Sequence, residues 1–167
     1  MGFADFHLQK KKGQLLYVVG HDGKAYEFNS ETGELLKEFK ISKKSISSLA
    51  FSHDEKYLAI FSSRLRVISW KTWKDVLKSP NDMGNIYRVS ISNDAKYLIT
   101  SDSESQHLQV WRCDLSLGTV SGGPTLPLRH APLVLDCHSG GNEDDLVVSA
   151  VMSSGGTYVW KNFNASS

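Results

Sequence analysis

The chain is poor in cysteine. Only Cys113 and Cys137 occur in 167 residues, far apart in sequence. Two thiols in a chain of this size fit a reducing compartment and exclude a disulfide-stapled secreted scaffold. Long apolar runs are missing as well. The longest informative uncharged stretch, 146–160, has 15 residues and includes Ser and two Gly, short of the roughly 20 that a spanning helix needs. The first residues, Met1-Gly2-Phe3-Ala4-Asp5, lack the apolar segment of a signal peptide, and Phe6 breaks the myristoylation pattern. Charge of one sign is lacking too: 19 Lys and Arg meet 18 Asp and Glu, a net of +1. Nothing general favours nucleic acid or an anionic membrane, though a local basic patch stays open. The expectation is a soluble intracellular chain without membrane attachment.

Helical periodicity is the last absence. No stretch of about ten residues shows a 3.6-residue apolar stripe. Residues 71–77 suffice for one helical turn, and a strand accounts for them equally well. Period-2 alternation in short runs is what the sequence offers instead. Ile46, Leu49 and Phe51 mark one run, and Leu108-Gln109-Val110-Trp111 and Thr157-Tyr158-Val159-Trp160 are two more. Turn signals separate them: Asp22-Gly23, Thr32-Gly33, His53-Asp54, Asn93-Asp94, Ser139-Gly140-Gly141-Asn142 and Gly155-Gly156. The fold class is all-β, built of short antiparallel strands.

A repeat organises them. Phe51-Ser52-His53-Asp54-Glu55-Lys56-Tyr57-Leu58-Ala59 aligns with Ile91-Ser92-Asn93-Asp94-Ala95-Lys96-Tyr97-Leu98-Ile99 at an offset of 40 residues. Trp70 follows Leu58 by 12 residues, Trp111 follows Leu98 by 13, and Trp160 follows Leu146 by 14. Leu16-Tyr17-Val18-Val19-Gly20 leading to Phe28 has the same shape. A repeat of about 40 residues holding four short strands is the unit of a β-propeller blade. Four blades are expected, at 3–41, 45–77, 85–128 and 132–161. The third is lengthened by a loop over 116–124, and the fourth lacks a last strand. Phe28, Trp70, Trp111 and Trp160 should pack with Leu16, Leu58, Leu98 and Val147 between blades, since one blade cannot bury both faces alone. A partial ring leaves apolar blade faces open, so this chain is expected to self-associate through them.

Over 14–161 the chain resembles the WD-repeat family of β-propellers. Its Trp residues are followed by Lys71, Arg112 and Lys161 where that family often has Asp, and the Gly-His signature survives only as Arg129-His130-Ala131-Pro132. Three local patterns are similar to one branch of the family, found in the early nucleolar transcription and processing subcomplex of the small-subunit processome. They are Asp22-Gly23-Lys24 followed by Phe28, Glu31-Thr32-Gly33-Glu34 and Ser45-Ile46-Ser47-Ser48-Leu49; Ser62-Ser63-Arg64-Leu65-Arg66-Val67 followed by Trp73-Lys74-Asp75-Val76; and Pro132-Leu133-Val134-Leu135-Asp136 before Asn142-Glu143-Asp144-Asp145. The resemblance implies protein partners in a multi-subunit complex, weak or indirect RNA contact, and a nucleolar location. A generic or vesicle-trafficking scaffold in the cytoplasm is the alternative.

Residues able to carry chemistry are few. His21-Asp22 and His53-Asp54 fall in predicted turns, where Asp satisfies its own backbone, with no nucleophile beside them. Asp136-Cys137-His138, His130 and Cys113 are zinc-ligand types, but adjacent strand residues point to opposite faces and the spacing matches no closed zinc motif. The glycine pairs at 122, 140 and 155 lack the Gly-Lys-Ser/Thr of a phosphate loop. Asn164-Ala165-Ser166 matches a glycosylation acceptor that an intracellular chain does not use. No catalytic residue, metal or cofactor is expected. The candidate binding residues are basic: Lys43 and Lys44, with Arg64 and Arg66 on one strand face, besides Lys10-Lys11-Lys12. Trp73, outside the stacking position, is the candidate exposed contact aromatic, with cover for the blade's outer edge as the alternative. The inner strands expected over 46–51, 86–91 and 133–137 carry mainly apolar residues and Ser, apart from Arg88 and Asp136. A binding scaffold is favoured over an enzymatic or ligand-binding propeller.

Overall fold

The repeated Ser-x-Asp-x-Lys-Tyr segment is a turn that closes on itself. Ser52 Oγ donates to Asp54 Oδ1 (2.7 Å), and Asp54 Oδ1 also accepts the Lys56 N–H (3.1 Å) while Ser52 Oγ accepts the Tyr57 N–H (3.0 Å). The second copy repeats these contacts at Ser92, Asp94, Lys96 and Tyr97 with the same distances. Glu55 and Ala95 take the same left-handed position, φ 57° in each. The short polar side chains satisfy backbone groups that a hairpin would otherwise leave unpaired.

Such turns join strands into consecutive hairpins. This computed structural model describes residues 3–10, 14–79, 83, 86–102, 104, 106–139 and 145–161. The first sheet runs β1 (Phe3–Lys10), β2 (Gln14–Gly20), β3 (Lys24–Asn29), β4 (Leu35–Lys40). The second runs β5 (Ser48–Phe51), β6 (Tyr57–Phe61), β7 (Leu65–Ser69), β8 (Lys74–Lys78), so 71–77 form a turn and a strand. The third runs β9 (Ile86–Ile91), β10 (Tyr97–Asp102), β11 (His107–Asp114), β12 (Thr119–Pro127). The fourth holds β13 (Pro132–Ser139), β14 (Leu146–Met152) and β15 (Thr157–Trp160). All pairings are antiparallel, and the described residues form no helix, so none of them makes a helix long and apolar enough to cross a membrane.

The first strands of consecutive sheets lie side by side at the centre, β9 between β5 and β13. The stack does not close into a ring. Each of three hydrophobic clusters fills one gap between neighbouring sheets. Leu58, Ile60 and Ile68 of the second sheet face the first, while Ala59, Phe61, Leu65 and Val67 face the third. Alternation explains it: odd and even residues of a strand point to opposite faces. Strands covered on both sides therefore read as unbroken apolar runs, as β6 does, whereas β14 buries every second residue.

Two expectations need correction. The segment 116–124 is no loop, since β12 already starts at Thr119. Gly122 and Gly123 sit at a bulge where the register shifts between Gln109 and Trp111, and the Gln109 amide donates to the carbonyls of Gly123 and Val110 (2.8 Å each). Leu16 faces Phe28 and Leu98 faces Trp111, and Leu58 shares the gap between the first two sheets with Trp70, as expected, although its direct cross-strand partner is Ile68 and Trp70 lies beside Lys56. The short turn between Phe61 and Leu65 causes this, carrying Trp70 two residues past its expected place and leaving it on the same face. Trp160 faces Val148 instead of Val147, a one-residue slip that selects the opposite face. Of these tryptophans Trp70 is buried, while Trp111 and Trp160 are half-buried.

Candidate functional site

The connection between the first two sheets, residues 41–47, is pinned from below. The N–H groups of Ile41 and Ser42 both donate to the Gly23 carbonyl (2.9 Å each), and the Ile46 N–H donates to His21 O (3.1 Å). His21 Nδ1 donates to Ile46 O at 2.6 Å. Ser42, itself buried, donates through Oγ to Lys44 O (2.7 Å) and accepts the Lys44 N–H (3.1 Å). Gly23 must be glycine here. Its φ is +78°, and a Cβ would stand 2.4 Å from the Ser42 carbonyl oxygen. Lys43 and Lys44 are thus displayed on a fixed backbone, both side chains exposed.

The opposite wall comes from the second sheet. Arg66 on β7 gives Nε and Nη2 to Asp75 Oδ1 (2.7 and 2.6 Å) and Nη1 to the Ile41 carbonyl (2.7 Å). Lys78 reaches the other carboxylate oxygen at 2.8 Å. The fork therefore ties the sheet to the connection and is spent in doing so. Arg64 lies in the turn before β7, not on a strand face shared with Arg66, and its side chain is exposed. Together Lys40, Lys43, Lys44, Arg64, Arg66 and Lys78, with Asp75 as the sole acid, line a groove of about 520 Å³ that also contains Ser42, Ser62 and Ser63. Four of the expected binding residues converge. Lys40, Lys78, Asp75 and the supporting Gly23 and Ser42 were missed by sequence reasoning. Only the Asp22-Gly23 turn signal hinted at the support.

Trp73 belongs elsewhere, and it is half-buried where exposure was expected. It stacks on Phe39 of the first sheet (centroids 4.6 Å) and leans on Trp70 (4.7 Å) and Tyr17 (6.3 Å). Its left-handed backbone, φ 56°, is what aims the ring into the gap between sheets. Around these rings opens a second groove with Glu27, Lys37, Glu55, Lys56 and Lys71 at its margin. Burial pushes the Tyr17 phenol up, and the Glu27 carboxylate beside it acts in the same direction.

The other residues singled out are occupied locally or separated. Asp22 accepts the Tyr26 hydroxyl (2.6 Å) and the Lys24 N–H (3.2 Å), and the Tyr26 bond holds its carboxyl below the usual range. His53 approaches Asp136 (3.4 Å) and the His138 ring (5.4 Å), all near the central strands. Cys137 is fully enclosed between the third and fourth sheets and accepts from Ser90 Oγ (3.4 Å), while Cys113 packs between the second and third. The described residues bring together no group of three or more His, Cys, Asp or Glu fit to hold a metal. Lys11, Lys12, Gly140, Gly141, the acidic 142–144 and the 164–166 acceptor lie outside the described residues.

No family model matches the chain, and no curated protein is significantly similar to it. Solved structures do match. A chain of the mitotic checkpoint complex superposes with a TM-score of 0.60 at 13% identity, over 89% of this chain and 46% of that one. A chain of the hydrazine synthase of Kuenenia stuttgartiensis gives 0.55 at 11% identity, over 88% and 46%. This chain thus spans less than half the length of either neighbour. At such identities the likeness is one of fold. With four consecutive antiparallel sheets, central first strands and an unclosed stack, the chain has the fold of a partial β-propeller.

Proposed function

We propose that this chain is a non-enzymatic binding scaffold within a multi-protein assembly. The observation that carries this reading is the basic groove: its cations stand on a backbone fixed by Gly23, Ser42 and Arg66, and only Asp75 opposes them. Rigid display of charge is what a docking surface needs, because less freedom is lost on binding. The His-Asp pairs, by contrast, serve turns or lie exposed. The neighbour in the mitotic checkpoint complex is by its description part of a multi-protein assembly. Fold alone does not fix function, so the assembly is named from sequence: the patterns at 22–49, 62–76 and 132–145 favour nucleolar pre-rRNA transcription, processing and small-subunit biogenesis. Pull-down of the tagged chain from cells, with mass spectrometry, is the test. Recovery of processome subunits supports the reading, and recovery of vesicle-coat proteins replaces it with a trafficking scaffold. Turnover of any substrate that vanishes in Asp136→Ala or His138→Ala would refute the non-enzymatic part.

A further inference from the structure

We infer that the basic groove between the first two sheets takes an extended acidic segment of a partner protein, one with carboxylates at alternate positions. This rests on the scaffold reading and names the chemistry of its partner. Asp75 is already matched by both Arg66 and Lys78. Lys40, Lys43, Lys44 and Arg64 have no carboxylate within ion-pair distance among the described residues. All four line the same groove of about 520 Å³, and physiological salt leaves charges within about 8 Å of one another largely unscreened. The four cations therefore act on one ligand together. A chain entering as a strand advances about 3.3 Å per residue, so side chains on one face recur every 7 Å or so. Successive same-face carboxylates of such a chain can each meet one of these cations.

Other anions fit less well. A single phosphate wants several donors converging on one point, but Arg66 is given over to Asp75 and Ile41 and Ser42 Oγ is spent on Lys44. That leaves Arg64 as the groove's one guanidinium with no carboxylate against it among the described residues, and no second fork to close on the same anion. The lysine ammoniums are single point charges spread around the walls on a fixed backbone, a pattern suited to several dispersed carboxylates. Single-stranded RNA draws much of its affinity from bases stacked on aromatic rings, and no aromatic residue lines this groove.

The test is fluorescence anisotropy of the full chain with a labelled peptide of alternating Glu and Gly. Competitors are single-stranded RNA of equal charge and inorganic phosphate. Saturable peptide binding, weakened about tenfold or more in Lys43→Ala/Lys44→Ala and unchanged in Lys71→Ala at the separate aromatic groove, is the expected result. Circular dichroism melting of the variants confirms that they remain folded. Absence of peptide binding, an equal loss in Lys71→Ala, tighter binding of the RNA, or displacement by equimolar phosphate each overturns the inference. The scaffold reading is judged separately by the pull-down, which can succeed while the peptide fails.

Discussion

Gly23 has the most exacting position in the described chain. Gly23→Ala should cost about 1–3 kcal/mol, from a left-handed φ and a backbone clash, and should shift Lys43 and Lys44 with the connection they ride on. Chemical denaturation and the peptide titration read the two effects; an unchanged midpoint would mean that the 41–47 connection yields freely. Cys137 makes a different prediction. Burial, first among its causes, pushes its thiol from 9.0 up to about 12. Alkylation of the folded chain at pH 8 should therefore run on the order of a thousandfold slower than in denaturant, because the thiolate is the reactive form. Folding favours the neutral thiol. That stabilisation is complete below pH 9.0, the ordinary value, and fades as pH rises toward 12. Labelling at the denatured rate would place the thiol outside the core. At this scale the cationic residue types were legible in the sequence. That Arg66 is neutralised was not, because Asp75 reaches it only through the pairing of β7 with β8.

Elements were legible where their chemistry is local. The Ser-Asp turn needs only residues within five positions of one another, so the two copies at 52–57 and 92–97 announced themselves. Register was less legible, since it depends on turn length: three residues separate Phe61 from Leu65, but six separate Ser101 from Leu108. Trp70 and Trp111 thus play unequal parts. Trp70→Ala should cost about 3–5 kcal/mol, for it is 6% exposed and meets Tyr17, Phe51 and Trp73 edge-on or tilted. Trp111→Ala should cost less, its ring being half-buried with one bond from the indole N–H to Thr100 (2.8 Å). Urea denaturation of the two variants ranks them, and the reverse order would contradict the register. Arg66→Lys should resemble Arg66→Ala in stability, because an ammonium cannot hold Asp75 and the Ile41 carbonyl at once in the same geometry. Full rescue by lysine would reduce the contact to simple charge.

For the whole molecule, the four-sheet arrangement followed from repeat spacing and tryptophan placement, whereas convergence of the basic residues depended on how two sheets meet. The fourth sheet leaves Val151 and Val159 37% and 53% exposed on the face turned away from Tyr158 and Trp160, which pack toward the third sheet. We propose that a second copy covers such open faces. Light scattering at micromolar concentration should show a mass above 18.6 kDa; a monomer throughout would refute this. The same stacking has a kinetic consequence. Every hydrophobic cluster joins consecutive sheets only, so cohesion passes along the stack from neighbour to neighbour. Opening then starts at the outer sheets and works inward. Amide hydrogens of β6 and β10, enclosed on both sides, should outlast those of β15 by orders of magnitude in exchange with heavy water. The protein would behave as a graded column that frays from its ends while its middle holds.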